Sequence, residues 1–136
     1  FCKAFPEATF AMINKKRIKP NEIHSMELVG DVQGRNVVIV DDMADTLGTM
    51  CKAAELLMNK GAKSVRCIAT HGILSGKAFE NLENSVMGEV LVSDTIAYNP
   101  VRPMPSKLKY ISCANLIAKS IWSLSQHKSI HEINIV

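Results

Sequence analysis

The chain has 136 residues, of which 47% are hydrophobic, so it can build the core of one domain and is not intrinsically disordered. Its net charge of +3 is spread along the chain, which argues against a dedicated nucleic-acid-binding protein. No stretch approaches the roughly 20 apolar residues that a membrane span requires. The four cysteines form no C-x-x-C pair and no signal-peptide core precedes them, so we expect reduced thiols and a cytoplasmic protein.

Along the chain, short apolar runs rich in β-branched residues alternate with amphipathic segments. Strands are predicted at residues 9–13, 37–40, 64–69, 89–92 and 109–112. Helices are predicted at residues 48–60, 77–84 and 114–125. This order is typical of strand–helix–strand units with right-handed crossovers. We therefore expect an α/β fold of three layers, with a mostly parallel sheet and helices on both faces.

A basic segment, residues 14–20, follows the first predicted strand and is predicted to be a mobile loop before a return strand at 27–29. A solvated run of charge is the commoner meaning of such a segment. Lys15 and Arg17 are two residues apart, so on an extended backbone they point the same way. Two such cations could neutralise a diphosphoryl group during its transfer.

Three of the five aspartates, Asp41, Asp42 and Asp45, lie where the most apolar strand leads into the first helix. Ligands of parallel sheets bind at the carboxyl ends of strands. The following residues, 46–49, offer backbone N–H groups and threonine hydroxyls to a phosphate at a helix start. The carboxylates could accept hydrogen bonds from sugar hydroxyls or hold a hydrated Mg²⁺. These features together favour a sugar phosphate, and an ordinary capped turn is the simpler alternative.

Residues 37–49, Val-Val-Ile-Val-Asp-Asp-Met-Ala-Asp-Thr-Leu-Gly-Thr, resemble the phosphoribosyl-diphosphate-binding loop of type I phosphoribosyltransferases. The resemblance is strongest to the ribose-phosphate diphosphokinase family, with further matches at residues 30–32 and 70–76. It runs from about residue 9 to the end of the chain and covers less than half of a typical family member. It implies that residues 1–136 form the C-terminal, phosphoribosyltransferase-like domain, without the family's N-terminal half.

The resemblance also implies a reaction, in which MgATP and ribose 5-phosphate give phosphoribosyl diphosphate and AMP. It places the ribose hydroxyls and Mg²⁺ beside Asp41 and Asp42. The residues implied to cradle the 5-phosphate are Asp45, Thr46, Leu47, Gly48 and Thr49. Lys15 and Arg17 match the catalytic lysine and arginine of the family's flexible loop, and Ser129 matches a residue that contacts a regulatory anion.

The family forms hexamers and takes most of its ATP contacts from the N-terminal half, so this chain alone is expected to be inactive. Two alternatives remain open: a nucleobase phosphoribosyltransferase and a non-catalytic subunit associated with the synthetase. The first usually carries glutamate at the position of Asp41. Retention of Lys15 and Arg17 argues mildly against the second.

Overall fold

The computed structural model describes residues 5–19, 22–99 and 102–130, with backbone alone for 16–19 and 22–25. An antiparallel hairpin precedes a parallel sheet of strand order β3-β4-β5-β6. The strands are β1 (Met12–Lys19), β2 (Glu22–Val29), β3 (Asn36–Ala44), β4 (Ser64–Gly72), β5 (Glu89–Ser93) and β6 (Leu108–Ile111). The helices are α1 (Gly48–Asn59), α2 (Ala78–Glu83) and α3 (Ala114–Ser125). The predicted α/β class with a mostly parallel sheet is confirmed.

One face of the sheet is covered by helices. The β3–β4 and β4–β5 crossovers run in the same direction across the sheet, and right-handed crossovers therefore put α1 and α2 on the same side. Val65, Cys67 and Ala69 of β4 are buried on this side, and the Cys67 sulfur lies 3.4 Å from that of Met50 in α1. The apolar stripe of α1 is the one expected from its sequence: Met50, Ala53, Ala54 and Leu57.

The opposite face of the sheet is open in the described part of the chain. Val40 of β3 is 54% exposed, and Val38 and Ile111 are also exposed. Helix α3 adds further exposed apolar side chains. The residue of this helix that is buried is Ser123, so its large apolar side chains remain outside the core. Those side chains are Leu116, Ile117, Ile121, Trp122 and Leu124. Helices were predicted on both faces of the sheet, but within the described residues these strand side chains are left uncovered on this face.

The basic segment differs from its prediction. Residues 14–19 belong to β1, paired with β2, so the expected loop is wrong there. A two-stranded ribbon can leave charged side chains in solvent, so their charge does not prevent strand pairing. Apolar side chains at Ala11, Ile13 and Leu28 pack against the core, and β2 contacts α1. The hairpin is therefore attached to the same helix that begins at the acidic strand end.

Two strands also run further than the hydrophobic pattern predicts. The pairing of β3 with β4 continues to Ala44 and Gly72, so Asp41 and Asp42 are the sixth and seventh residues of β3. Backbone pairing with a parallel neighbour continues past the apolar residues because the ladder does not depend on side-chain polarity. None of the helices within the described ranges is long and apolar enough to cross a membrane.

Candidate functional site

Residues 45–49, here called the α1 turn, comprise the connection from β3 to α1 and the first two residues of α1. The first helical hydrogen bond runs from Cys51 N–H to the Leu47 carbonyl, at 2.9 Å. The N–H groups of Gly48, Thr49 and Met50 therefore precede the intrahelical ladder. Within the described residues no side chain caps this helix start, and its first turn carries no acidic residue. The turn thus presents a set of donors, at the positive end of a helix dipole, to an anion.

Leu47 holds the α1 turn in an unusual backbone conformation. Its φ is 63°, in the left-handed region, which costs a non-glycine residue about 1–2 kcal/mol. Its side chain is only 3% exposed and belongs to the hydrophobic core, so burial offsets that cost. The sequence reading placed Leu47 in the phosphate cradle. The structure leaves only its backbone for such a role.

Gly48 is the first residue of α1, and packing within the described chain does not require it to be glycine. A Cβ atom here would lie 3.8 Å from Thr46 Oγ1 and 3.9 Å from Asn81 Nδ2, which are ordinary contact distances. The missing side chain instead leaves the backbone approachable from outside. This is the property expected where a ligand contacts the main chain.

The two consecutive aspartates of β3 leave from opposite faces of the sheet. Asp41 pairs with Ala69, on the helix-covered side, and Asp42 is exposed on the other side. Burial, and to a smaller extent the Asp41 carboxylate, raises the pKa of the Cys67 thiol to about 12. Asp41 also accepts a hydrogen bond from the Asp42 N–H, at 3.0 Å. A ligand lying across the carboxyl end of β3 would have one carboxylate on each side.

The segment after β4 supports the α1 turn. Ser75 Oγ donates a hydrogen bond to Asp45 Oδ1 at 2.5 Å, and Asn81 Nδ2 donates to the Thr46 carbonyl at 2.8 Å. The Leu74 N–H donates to the Ala44 carbonyl at 2.9 Å. Ser75 lies in the 70–76 motif that carries the family resemblance, so a signal for it existed. Asn81 lies in no such motif, and sequence reasoning missed it.

A polar network ties the end of β4 to the segment just after β5. His71 Nδ1 lies 2.9 Å from Thr95 Oγ1, and the Thr95 hydroxyl donates to the Thr70 carbonyl at 3.1 Å. Since that hydroxyl has one hydrogen, the His71 contact is best satisfied with Nδ1 as donor. This pattern agrees with a structural histidine. A cleft of about 350 Å³ lies beside it, bordered by the 72–76 turn, Phe79 and Tyr98.

The predicted catalytic pair lies on the hairpin and not in the α1 turn. Lys15 is half-buried in β1, opposite Met26, and Arg17 is in the same strand with its side chain outside the described atoms. The register shifts between Lys16 and Arg17, so simple alternation does not set the relative direction of the two cations.

Ser129 is exposed beyond α3, next to Lys128, whose Nζ lies 5.0 Å from the Trp122 ring centroid.

The described residues contain no group of three or more His, Cys, Asp or Glu side chains that could form a metal cage. Mg²⁺ does not need one, because it usually binds one or two carboxylates, several waters and substrate phosphates. Asp41 and Asp42 are hard oxygen donors near the carboxyl end of β3, and each, on its own face of the sheet, can supply one such carboxylate. The donor set is therefore compatible with a cation that arrives together with a phosphorylated substrate.

Comparison with known proteins agrees with this geometry. Residues 6–134 match the model of the phosphoribosyl synthetase-associated domain. The chain is 40% identical over 130 residues to a ribose-phosphate pyrophosphokinase (a diphosphokinase) of Gloeobacter violaceus, covering 96% of this chain and 39% of that protein. It is 43% identical over 128 residues to the Shewanella oneidensis enzyme of the same name, covering 94% and 41%.

A solved structure shows the same fold. The phosphoribosylpyrophosphate synthetase from Mycobacterium smegmatis superposes with a TM-score of 0.80 at 34% identity, covering 93% of this chain and 40% of that one. The chain thus spans about two fifths of the length of the relatives that it matches. The family resemblance found in residues 30–32, 37–49 and 70–76 is confirmed. The chain belongs to the phosphoribosyl synthetase-associated domain family.

Proposed function

We propose that this chain is the ribose 5-phosphate-binding domain of a ribose-phosphate diphosphokinase. The whole protein would transfer the diphosphoryl group of MgATP to the 1-hydroxyl of ribose 5-phosphate, giving phosphoribosyl diphosphate and AMP. The observation that carries the proposal is the α1 turn, a helix start uncapped by described side chains, which follows a strand that carries two carboxylates near its carboxyl end. The names of the relatives support the same reaction.

In this proposal the α1 turn binds the 5-phosphate. The N–H groups of Leu47, Gly48 and Thr49, with the hydroxyls of Thr46 and Thr49, are the donors, and the Asp45 carboxylate is held by Ser75. Each charge-assisted hydrogen bond to a phosphate contributes about 1.5–3 kcal/mol. Because the donors belong to backbone that is already braced, little conformational entropy is lost when the phosphate binds.

Asp41 and Asp42 would accept the ribose hydroxyls on the two sides of the β3 end and contribute oxygen ligands to Mg²⁺. When bound, the cation neutralises charge on the transferring diphosphoryl group. The domain's own residues orient the sugar so that its 1-hydroxyl faces the co-substrate. Holding the two reactants in line accounts for much of catalysis in phosphoryl transfer.

Lys15 and Arg17 are the proposed catalytic residues. The hairpin that carries them packs on α1 through β2, which supports a position within reach of the sugar phosphate. Little covalent work falls to the protein in such transfers, so cations act by stabilising charge on the moving group. A lysine used in this way affects turnover more than the affinity for ribose 5-phosphate.

We further propose that the ATP contacts come from the part of the relatives that this chain does not cover. The domain assignment, residues 1–136 as a C-terminal unit without activity of its own, follows from that. The exposed apolar side chains of α3 and of the open sheet face support association of the cytoplasmic protein into a homo-oligomer, a hexamer as in the resembled family. Ser129 is proposed to contact a regulatory anion. For the whole protein we propose neither a nucleic acid nor a membrane as a partner.

The test is AMP release from the whole protein with ATP and ribose 5-phosphate, beside calorimetric titration of ribose 5-phosphate. AMP formation that depends on both substrates supports the diphosphokinase. Release of diphosphate from phosphoribosyl diphosphate in the presence of a nucleobase would instead identify the protein as a phosphoribosyltransferase. Binding of ribose 5-phosphate without turnover, together with capture of an active synthetase, would identify a non-catalytic subunit.

A further inference from the structure

We propose that Asn81 of α2 is a positioning residue that sets the orientation of the α1 turn for its anionic ligand. The identity of that ligand rests on the proposed function, but the positioning role concerns the backbone of the turn itself. Asn81 Nδ2 donates a 2.8 Å hydrogen bond to the Thr46 carbonyl, across 35 residues of sequence. The backbone carbonyl of Asn81 accepts a weak hydrogen bond from the Cys51 thiol, at 3.5 Å. Asn81 thus contacts both the α1 turn, at Thr46, and the helix that follows it, at Cys51.

The Thr46 carbonyl and the Leu47 N–H belong to the same peptide unit. A trans peptide is planar, so its C=O and N–H point in opposite directions. By holding the carbonyl oxygen toward α2, Asn81 directs the Leu47 N–H away from α2. This side chain therefore decides the direction of a donor that it does not itself contact.

The Thr46–Leu47 peptide needs such a restraint because its conformation is strained. Leu47 has a φ of 63°, and rotating this one peptide unit by about half a turn would return Leu47 to the ordinary negative-φ region. The same rotation would reverse the Leu47 N–H and remove it from the anion site. The Asn81 hydrogen bond and the burial of the Leu47 side chain oppose that rotation together.

Ser75 is a second support for the turn, but it acts on a different group. It donates to the Asp45 carboxylate and not to the Thr46–Leu47 peptide. Asn81 is the described side chain that holds this peptide. Its own orientation is fixed on a helix that packs against α1, and it is half-buried.

The experiment compares Asn81→Asp and Asn81→Ala with Asn84→Ala in the whole protein. Asn81→Asp keeps the shape but has no N–H donor, and Asn84 lies at the exposed end of the same helix. We expect Asn81→Ala to raise the KM for ribose 5-phosphate about fivefold to tenfold, the effect of one lost hydrogen bond. Asn81→Asp should raise it further, because a carboxylate beside the site repels phosphate. The KM for ATP and the melting temperature should stay near those of Asn84→Ala.

A second measurement does not depend on the substrate. Amide hydrogen exchange at residues 47–50, without ligand, should be faster in both Asn81 variants and unchanged in Asn84→Ala. If wild type binds ribose 5-phosphate and Asn81→Asp binds it equally well, the positioning role is wrong and the proposed function stands. If wild type does not bind ribose 5-phosphate, the proposed function fails, and the exchange rates alone test the positioning role. Faster exchange in the Asn81 variants supports that role, and exchange at the wild-type rate overturns it.

Discussion

Helices α1 and α3 each follow a strand of the same parallel sheet, yet the side-chain hydrogen bonds at their starts differ. At α3, the Asp94 carboxylate accepts hydrogen bonds from the Cys113 N–H, at 2.7 Å, and from Ser112 Oγ, at 2.5 Å. The Ala114 N–H also donates to Ser112 Oγ, at 3.3 Å. At α1, no described side chain accepts a hydrogen bond from the backbone N–H groups of the helix start, although three aspartates lie within seven residues of it.

The difference separates a structural helix start from one available to a ligand. Both starts have the same unpaired N–H groups and the same positive dipole end. Just before α3, the Asp94 carboxylate of the protein accepts a hydrogen bond from the N–H of Cys113. At α1 the nearby carboxylate of Asp45 is held by Ser75, so the equivalent position is left for an anion from solution.

The largest effect is expected away from both helix starts, at Lys15. Lys15→Ala should lower kcat for AMP formation about 100-fold or more, because the charge that stabilises the transferring group is lost. The KM for ribose 5-phosphate should change little, since the α1 turn still binds the phosphate. Lys63→Ala, an exposed lysine at the start of β4, is the matched control. A wild-type kcat in Lys15→Ala would remove Lys15 from catalysis.

Gly48→Val tests the ligand role of α1 most directly. The branched side chain should obstruct the backbone donors and weaken ribose 5-phosphate binding about 10-fold to 100-fold, the effect of one or two lost bonds to phosphate. The melting temperature of Gly48→Ala should not fall, since a Cβ here makes only ordinary contacts and alanine favours a helix. Calorimetric titration and thermal unfolding measure the two quantities. Wild-type affinity in Gly48→Val would show that the phosphate binds elsewhere.

Thr49→Asp would give α1 the kind of neighbouring carboxylate that α3 has. An acidic residue in the first turn stabilises a helix by about 0.3–1 kcal/mol, so unfolding should occur at a slightly higher temperature. The same charge should compete with phosphate and weaken ribose 5-phosphate binding about tenfold. Thr49→Ser serves as the control that keeps the hydroxyl. Unchanged binding in Thr49→Asp would mean that the two helix starts do not differ in the proposed way.

Asp94→Asn makes the reciprocal change at α3 and should have the smallest effect. The Cys113 N–H and, secondly, the Ser112 hydroxyl lower the pKa of the Asp94 carboxyl below its ordinary value of 3.8. A lowered pKa in the folded state means that this stabilisation is complete above 3.8 and is lost as the pH falls through the folded-state pKa.

The variant should therefore unfold more easily at neutral pH and lose less of its remaining stability under acid. Its affinity for ribose 5-phosphate should equal that of wild type. Thermal unfolding between about pH 2 and pH 7 measures the first property, because this range brackets the ordinary pKa of an aspartate carboxyl. A fall in ribose 5-phosphate affinity would show that the two helix starts are coupled, contrary to the comparison.

Local sequence determined much of this protein. The apolar spacing of Met50, Ala53, Ala54 and Leu57 predicts both α1 and its buried face, because a helix of 3.6 residues per turn puts these positions together. The strand-end aspartates and the glycine-bearing turn predict where a ligand binds, because parallel sheets gather such ends at one edge. The candidate sugar-phosphate site, residues 41–49, is contiguous in sequence, so it could be predicted without a structure.

Tertiary structure alone decided the contacts that distant residues make at the two helix starts. Asn81 reaches Thr46 across 35 residues and Asp94 reaches Cys113 across 19, and neither pairing leaves a periodic or local signal. The same is true of the basic segment, which reads as a loop by charge but pairs with β2. Hydrogen bonds between distant residues depend on the packing of whole elements, so the sequence specified the donors of the α1 turn while the fold determined how they are held.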